Sequence, residues 1–339
     1  MFEIAAIGVV ADCVPLVGEN RIIAKFGLEN MKRSQWDGLQ KIFSENDINP
    51  NEISEETIGF TIAPRLNAAS RIGDVMYAVQ LFLGHPQQNF ERLALLETWN
   101  GERKKQTEEA VKHSREQIET GSACQVLMNE EWSPGILGLV AARYVEHLGV
   151  PVVACTIRQD GKLCGSARAP ENMSMIEGLH AASDFLGQFG GHDGAGGFVA
   201  SPNDLQCIRK NIQNHYQKKN SEISKIQIEA WIDPQEVNEG LLSFLEAFGP
   251  FGMGHPAPIF GFRNFVITQI FPMGSDKNHF RFTGLINGIE TSVVAFFAGH
   301  LEEKVGIGRS VDIAFTVKAN FWQGERRIQL RVVDMRESL

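Results

Sequence analysis

The sequence has few cysteines, no long apolar run and a deficit of positive charge. Its five cysteines (Cys13, Cys124, Cys155, Cys164, Cys207) are scattered, odd in number and include no CxxC pair. That pattern excludes a disulfide framework and a structural zinc site and leaves buried thiols as the reading. No run of about 18 apolar residues occurs, which excludes a spanning helix. The opening MFEIAAIGVVADCVPL lacks the basic flank and cleavage site of a signal peptide, so a cytoplasmic protein is expected. The formal net charge of -9 provides no global pull toward nucleic acid, and any DNA contact has to come from a local basic groove. What is present is an ordinary globular composition. The 339 residues are 43% hydrophobic and 22% charged, enough for two or three domains.

Along the chain, residues 3–11 (EIAAIGVVA) form a near-continuous apolar run of strand length, the pattern of a strand covered on both faces in an α/β sheet. Helical patterning occupies 21–45. In 53–74, Ser54 with Glu55 and Thr57 resembles a helix start and Pro64 a break. Segment 86–119 is charged and helical in period, interrupted near Asn100-Gly101, and is expected to connect two domains. A strand at 123–129, a small-residue helix started by Pro134 and Gly135, a strand after Pro151, the strand KLCGSARA and a helix at 174–188 follow in α/β order. Residues 203–225 are polar and helical. From 226 onward, alternating segments such as HFRFTGLI, TSVVAFFA, VDIAFTVKAN and RRIQLRVVD predict an all-β module of about 110 residues with the rhythm of a small closed barrel.

Four constellations carry candidate chemistry. Asp12 closes the apolar run, and a carboxylate at a strand end suits a hard cation; the plainer alternative is an exposed carboxylate or a helix cap. Ser166 and Arg168 lie two apart on one strand face, with Gly165 beside them, a hydroxyl and a guanidinium able to hold a phosphate or carboxylate. A strand-edge arginine paired with a surface carboxylate is the competing reading. The stretch QFGGHDGAGGF (188–198) has too much glycine for a helix or strand interior. Its Gly190 and Gly191 permit close approach of another chain, and His192 can donate to a phosphate oxygen; otherwise it is a helix stop with an exposed histidine. It matches neither a dinucleotide fingerprint nor a Walker loop. The segment APRLNAASRIGD places Arg65, Asn67 and Arg71 together, either lining a phosphodiester groove or tying a helix. In the β module, Phe280, Phe282, Phe296, Phe297, Phe321 and Trp322 could stack bases but are mostly expected in the barrel core. Lys277, Arg281 and Arg326 are better candidates for strand contact.

VVADCVPLVGEN, RLNAASRIGD, WSPGILGLVAAR, GSARA, FGGHDGAGGF and GPFGMGHPAPIF occur in one order across nearly the whole chain. Together they resemble the landmarks of the RecJ family of single-strand-specific exonucleases, in the DHH phosphoesterase superfamily. The resemblance implies an α/β fold (the end of a DHH domain plus a DHH-associated α/β domain) followed by an all-β OB-fold barrel. The implied boundaries are 1–85 for the DHH part, 86–119 for the connecting helix, 120–222 for the DHH-associated domain and 226–339 for the barrel. It implies 5′→3′ hydrolysis of single-stranded DNA to mononucleotides in repair and recombination, with two Mn2+ or Mg2+ ions. Asp12 then resembles the last metal-ligating aspartate. Ser166 and Arg168, with an arginine of RLNAASR, resemble the pocket for the 5′ end, and His192 the substrate-contacting, catalytic histidine. Implied partners are single-stranded DNA, a single-strand-binding protein and a helicase, with no membrane, for a monomeric protein.

Three departures stand out. Gly196 replaces a usual alanine, His255 replaces a usual asparagine, and no Asp-His-His triplet is present. One aspartate cannot hold two ions. The chain is therefore expected to correspond to the C-terminal part of such an enzyme and to be inactive by itself. Two rivals follow: a non-catalytic strand-binding fragment or accessory subunit that needs a separate N-terminal half, and a phosphoesterase for small or cyclic oligonucleotides. The barrel argues against the second rival, because a short substrate needs no extended grip.

Overall fold

A computed structural model describes residues 1–218, 225–274, 279–296, 306–322 and 325–338. The chain divides into two compact units, residues 1–30 with 225–339, and residues 31–224. No helix among the described residues is long and apolar enough to cross a membrane.

Helices α1 (Phe2–Ala11) and α2 (Gly18–Met31) open the chain. The apolar run 3–11 is thus a helix, not the strand its composition suggests, because a short apolar run carries no period that separates the two. Pairing fixes the choice. A Cβ added at Gly27 of α2 would stand 2.2 Å from Ala6 Cβ and 2.7 Å from the Phe2 carbonyl oxygen, so only glycine lets the helices approach this closely. Asp12 therefore caps the carboxyl end of α1, its amide donating to the Gly8 carbonyl, and does not stand at a sheet edge.

In the second unit, α3 (Asp37–Glu45), α4 (Ala63–Ile72), α5 (Val75–Leu83) and α6 (Asn89–Ser114) pack as a helical layer. Pro64 does not break the chain. A π-helical turn, Thr57–Ile62, runs directly into α4 (Ala63–Ile72), and Pro64 sits at that junction, where the wider turn takes the place of a break. Helix α6 continues for 26 residues through Asn100-Gly101 without interruption. Asn100 is buried and bonded to Arg103, so the side chain that signals a turn is instead an internal tie.

Strand β1 (Gln125–Met128), helix α7 (Leu137–Leu148), strands β2 (Val152–Ile157) and β3 (Leu163–Arg168), helix α8 (Met175–His180), strands β4 (Gln188–Gly191) and β5 (Ala195–Ala200) and helix α9 (Leu205–Gln217) complete this unit. The sheet order is β1-β2-β3-β5-β4, parallel between β1 and β2 and antiparallel elsewhere. Both faces are covered: Val126, Val153 and Cys155 pack in the core that includes Leu179 and Ile212, while Leu127, Val152 and Ala154 pack in the one that includes Val140 and Tyr144. The helix expected at 174–188 stops at His180, and the glycine stretch is a β-hairpin. In this sheet glycine stands where bulky neighbours fill the space. A Cβ at Gly165 would meet the Phe198 ring at 2.3 Å, and one at Gly196 would meet Leu179 at 2.6 Å.

The barrel follows from β6 (Ala230–Trp231), α10 (Glu239–Phe248), β7 (Phe260–Met273), β8 (His279–Ile286), β9 (Ile289–Ala295), β10 (Ser310–Trp322) and β11 (Glu325–Glu337). Five of these strands close as β7-β8-β9-β11-β10-β7, antiparallel except for β9 with β11. Phe262, Phe265, Phe280, Phe282 and Phe315 fill the interior. Asn287 and Gly288, both at positive φ, make the two-residue turn between β8 and β9.

Candidate nucleic-acid interface

Within residues 31–224, the amino end of α7 forms the centre of one site. Ser133 caps a 3-10 turn, Pro134–Ile136, that leads into α7; its Oγ accepts from the Gly135 amide, and the positive end of the helix dipole faces this turn. Arg71, at the end of α4, donates from Nη1 to the Gly135 carbonyl at 2.9 Å. On the other side, Ser166 and Arg168 project from β3. Arg168 Nη1 donates to Ser166 Oγ (3.2 Å) and to the Ala167 carbonyl (2.8 Å). A Cβ at Gly138 would lie 2.7 Å from Arg168 Nη2 and 3.1 Å from Ser166 Oγ, so the bare glycine lets the guanidinium lie against the first turn of α7.

Burial lowers the pKa of Arg71, and burial together with the charge of Arg71 lowers that of Arg168. Among the described residues, neither forms an ion pair with a carboxylate. Two partly desolvated cations beside a helix amino end are complementary to an anion. A third arginine, Arg103 of α6, is also lowered, first by burial and then by Arg71 and Arg143. Sequence reasoning missed it, because in GERKKQ nothing separates a buried arginine from a solvated charge run.

The β4–β5 hairpin borders this site. Arg168 pairs in register with Ala195, and Ala195 exchanges backbone hydrogen bonds with His192 (2.8 and 3.3 Å). His192 is exposed at the tip, with Gly190 and Gly191 beside it on β4. Arg65 differs from Arg71. Its Nε donates to Glu97 at 2.5 Å, Nη1 to the Thr61 carbonyl at 2.6 Å and Nη2 to Asn46, so its fork is engaged within the helical layer. Asn67 is half-buried on the same helix.

On the barrel, the register aligns Phe271, Arg281, Val294 and Arg331 across β7, β8, β9 and β11. Phe280 and Phe282 point inward, so Arg281 between them points out. Phe271 and Phe296 are 47% and 45% exposed, and the Arg331 guanidinium lies 5.6 Å from the Phe296 ring. This outer face offers aromatic surface and positive charge together. Phe321 is exposed as well. Arg326 is held by Glu239 (3.0 Å) and by both oxygens of Glu246 (2.8 and 2.7 Å). Lys277 and Phe297 lie outside the described residues, as does the side chain of Trp322.

Asp12 is exposed at the end of α1. Among the described residues, no group of three or more His, Cys, Asp and Glu side chains is placed to hold a metal ion. The donors described therefore do not fit a two-ion centre.

A DHH-associated α/β sheet and a closed five-stranded barrel define the class, and the comparisons agree. The family model for the DHHA1 domain matches residues 121–218, and that for the RecJ OB domain matches 228–334. Crystal structures of RecJ from Thermus thermophilus with Mg2+ and with Mn2+ superpose at a TM-score of 0.85 and 25% identity; they cover 100% of this chain and 53% and 50% of theirs. The single-stranded-DNA-specific exonuclease RecJ of Bacillus subtilis is 29% identical over 98% of this chain and 44% of its own length, and that of Thermus thermophilus 28% over 99% and 48%. The chain belongs to the RecJ family of the DHH phosphoesterase superfamily. It spans about half the length of the curated relatives just named.

Proposed function

We propose that this chain provides the strand-binding part of a 5′→3′ exonuclease that degrades single-stranded DNA to mononucleotides. The observation that carries this reading is the pair Arg71 and Arg168, half-buried at the amino end of α7 beside Ser166 and without a carboxylate partner among the described residues. A terminal phosphate satisfies that set: its oxygens accept from the guanidinium forks and neutralise their charge. His192, one hairpin away, donates to the next phosphodiester, with Gly190 and Gly191 giving the backbone room. The outer barrel face, with Arg281 and Phe296, grips the strand farther on, and Lys277 belongs to the same reading. Single-strand-binding protein and a helicase are its partners, in cytoplasmic DNA repair and recombination.

Divalent Mn2+ or Mg2+ belongs to this reading on the support of the relatives crystallised with those ions. In this reading Asp12 is the carboxylate that serves as a ligand. Because no cation cluster gathers among the described residues, a second reading is favoured for the chain alone: strand binding without cleavage.

The test measures affinity for 5′-phosphorylated and 5′-hydroxyl oligonucleotides by fluorescence anisotropy, for the parent and Arg168→Ala. The parent prefers the phosphorylated strand and the variant loses that preference. Equal discrimination in both removes Arg168 from the role. Mononucleotide release in Mn2+, abolished by Asp12→Asn, would replace the second reading with catalysis by this chain.

A further inference from the structure

The amino end of α7 is also approached from α6. The turn 134–136 packs against both α4 and α6. The end of α4 rests on Trp99: a Cβ at Gly73 would meet the indole at 2.4 Å, and the Tyr77 ring lies 5.4 Å from it, edge on. Trp99 and Arg103 are four residues apart on α6 and so share one face, which places Arg103 one turn from the end of α4 that carries Arg71. Asn100 is only 2% exposed, and its Oδ1 accepts from both Nε (3.3 Å) and Nη2 (3.0 Å) of Arg103. An amide buried inside a helix and used to hold a guanidinium aims that guanidinium. Arg103, like Arg71 and Arg168, has no carboxylate partner among the described residues.

We infer that Arg103, aimed by Asn100, is a further arm of the anion cradle, and that it makes the cradle selective for the dianionic phosphate monoester at a strand end over an internal diester. This inference rests on the terminal-phosphate reading above. Three guanidiniums carried by elements that meet at this turn, with no carboxylate partner among the described residues, are over-charged for a diester, which carries one negative charge and offers two free oxygens. A terminal monoester carries close to two and offers three. Bringing like charges together is unfavourable until the anion arrives, so the same side chain that favours the ligand opposes the empty fold.

The experiment uses the full chain, 5′-phosphorylated and 5′-hydroxyl oligothymidylate as probes, and thermal melting without ligand at low salt. Arg103→Gln is expected to reduce the affinity ratio between the two probes by about tenfold, the scale of one charge-assisted hydrogen bond, while its melting temperature stays level or rises. Asn100→Ala is expected to reduce the ratio with Arg103 still present, and Arg103→Lys to recover part of it. A ratio equal to the parent's in Arg103→Gln, alongside loss in Arg168→Gln, overturns the assignment of Arg103 and leaves the terminal-phosphate reading standing. An unchanged ratio in both variants overturns the two together. A lower melting temperature with an unchanged ratio assigns Arg103 to packing alone.

Discussion

The backbone amide of Gly194 donates to Nδ1 of His192 at 3.2 Å, at the tip of the β4–β5 hairpin. A neutral ring whose Nδ1 accepts carries its proton on Nε2, so the hairpin presents an N–H donor to solvent. The tip is tied down from α8: Ser174 Oγ donates to Asp193 Oδ1 at 2.5 Å, and the Met175 amide to the Asp193 carbonyl at 2.7 Å. The donor is therefore held at a fixed place without being packed into the core.

His192→Ala is expected to weaken oligonucleotide binding several-fold and to leave the fold alone. An exposed side chain of this kind contributes within about 0.5 kcal/mol, or a shift of about 2 °C in melting temperature. Calorimetry and anisotropy on the same preparation separate the two effects. Unchanged affinity would remove His192 from the strand path.

Gly138→Ala is expected to split stability from binding. A glycine within a helix is about 1 kcal/mol less favourable than alanine, and the atom a new Cβ would meet at 2.7 Å is the far end of the Arg168 side chain, which can move. The melting temperature should stay level or rise while the preference for a 5′-phosphate falls. Retention of that preference would mean that Arg168 does not need the surface of α7.

Arg281 and Arg326 make a contrast on the barrel. Arg281 points outward in the row with Phe271 and Val294, whereas Arg326 is neutralised by Glu239 and Glu246. Arg281→Ala should reduce the slope of log affinity against log salt by about 0.7, the contribution of one phosphate contact on a single strand. Arg326→Ala should leave that slope unchanged and alter stability by no more than about 1 kcal/mol, because its ion pairs are half exposed. Equal slopes in the two variants would rule out this division of roles.

The sequence legibly indicated the barrel and the α/β strands, because alternation over β8, β10 and β11 and the runs of β1 and β2 are carried by side chains that must be buried. Ser166 with Arg168 was legible for the same reason: a period of two places both on one face. Three features were not. An apolar run of nine residues fits a buried strand as well as a helix, and the Ala6–Gly27 contact that decides is remote in sequence. The glycine stretch 188–198 was not legible as a hairpin, because the Leu179 side chain that fills the space at Gly196 comes from α8. Arg103 was invisible because only Asn100, itself read as a helix break, distinguishes it from the lysines that follow.

The thiols give a prediction with a pH sign. Cys13 and Cys207 are exposed, while Cys124, Cys155 and Cys164 are buried. Burial pushes the Cys155 thiol up to about 12 and raises Cys124 and Cys164 as well, since a thiolate loses its hydration there. At pH 8, about two thiols should react rapidly with a disulfide reagent in the native protein, and five in denaturant. A thiol whose folded pKa exceeds its unfolded value keeps its proton in the native state after the unfolded chain has lost it. Stability is therefore unaffected below about pH 8 and falls as pH rises from there toward 12, by up to about 1.4 kcal/mol per pH unit for each such thiol. Urea midpoints between about pH 8 and pH 10 should fall more steeply for the parent than for Cys155→Ala. Parallel slopes would place Cys155 in contact with water, and rapid reaction of a third native thiol would remove the buried-thiol account for one of the three.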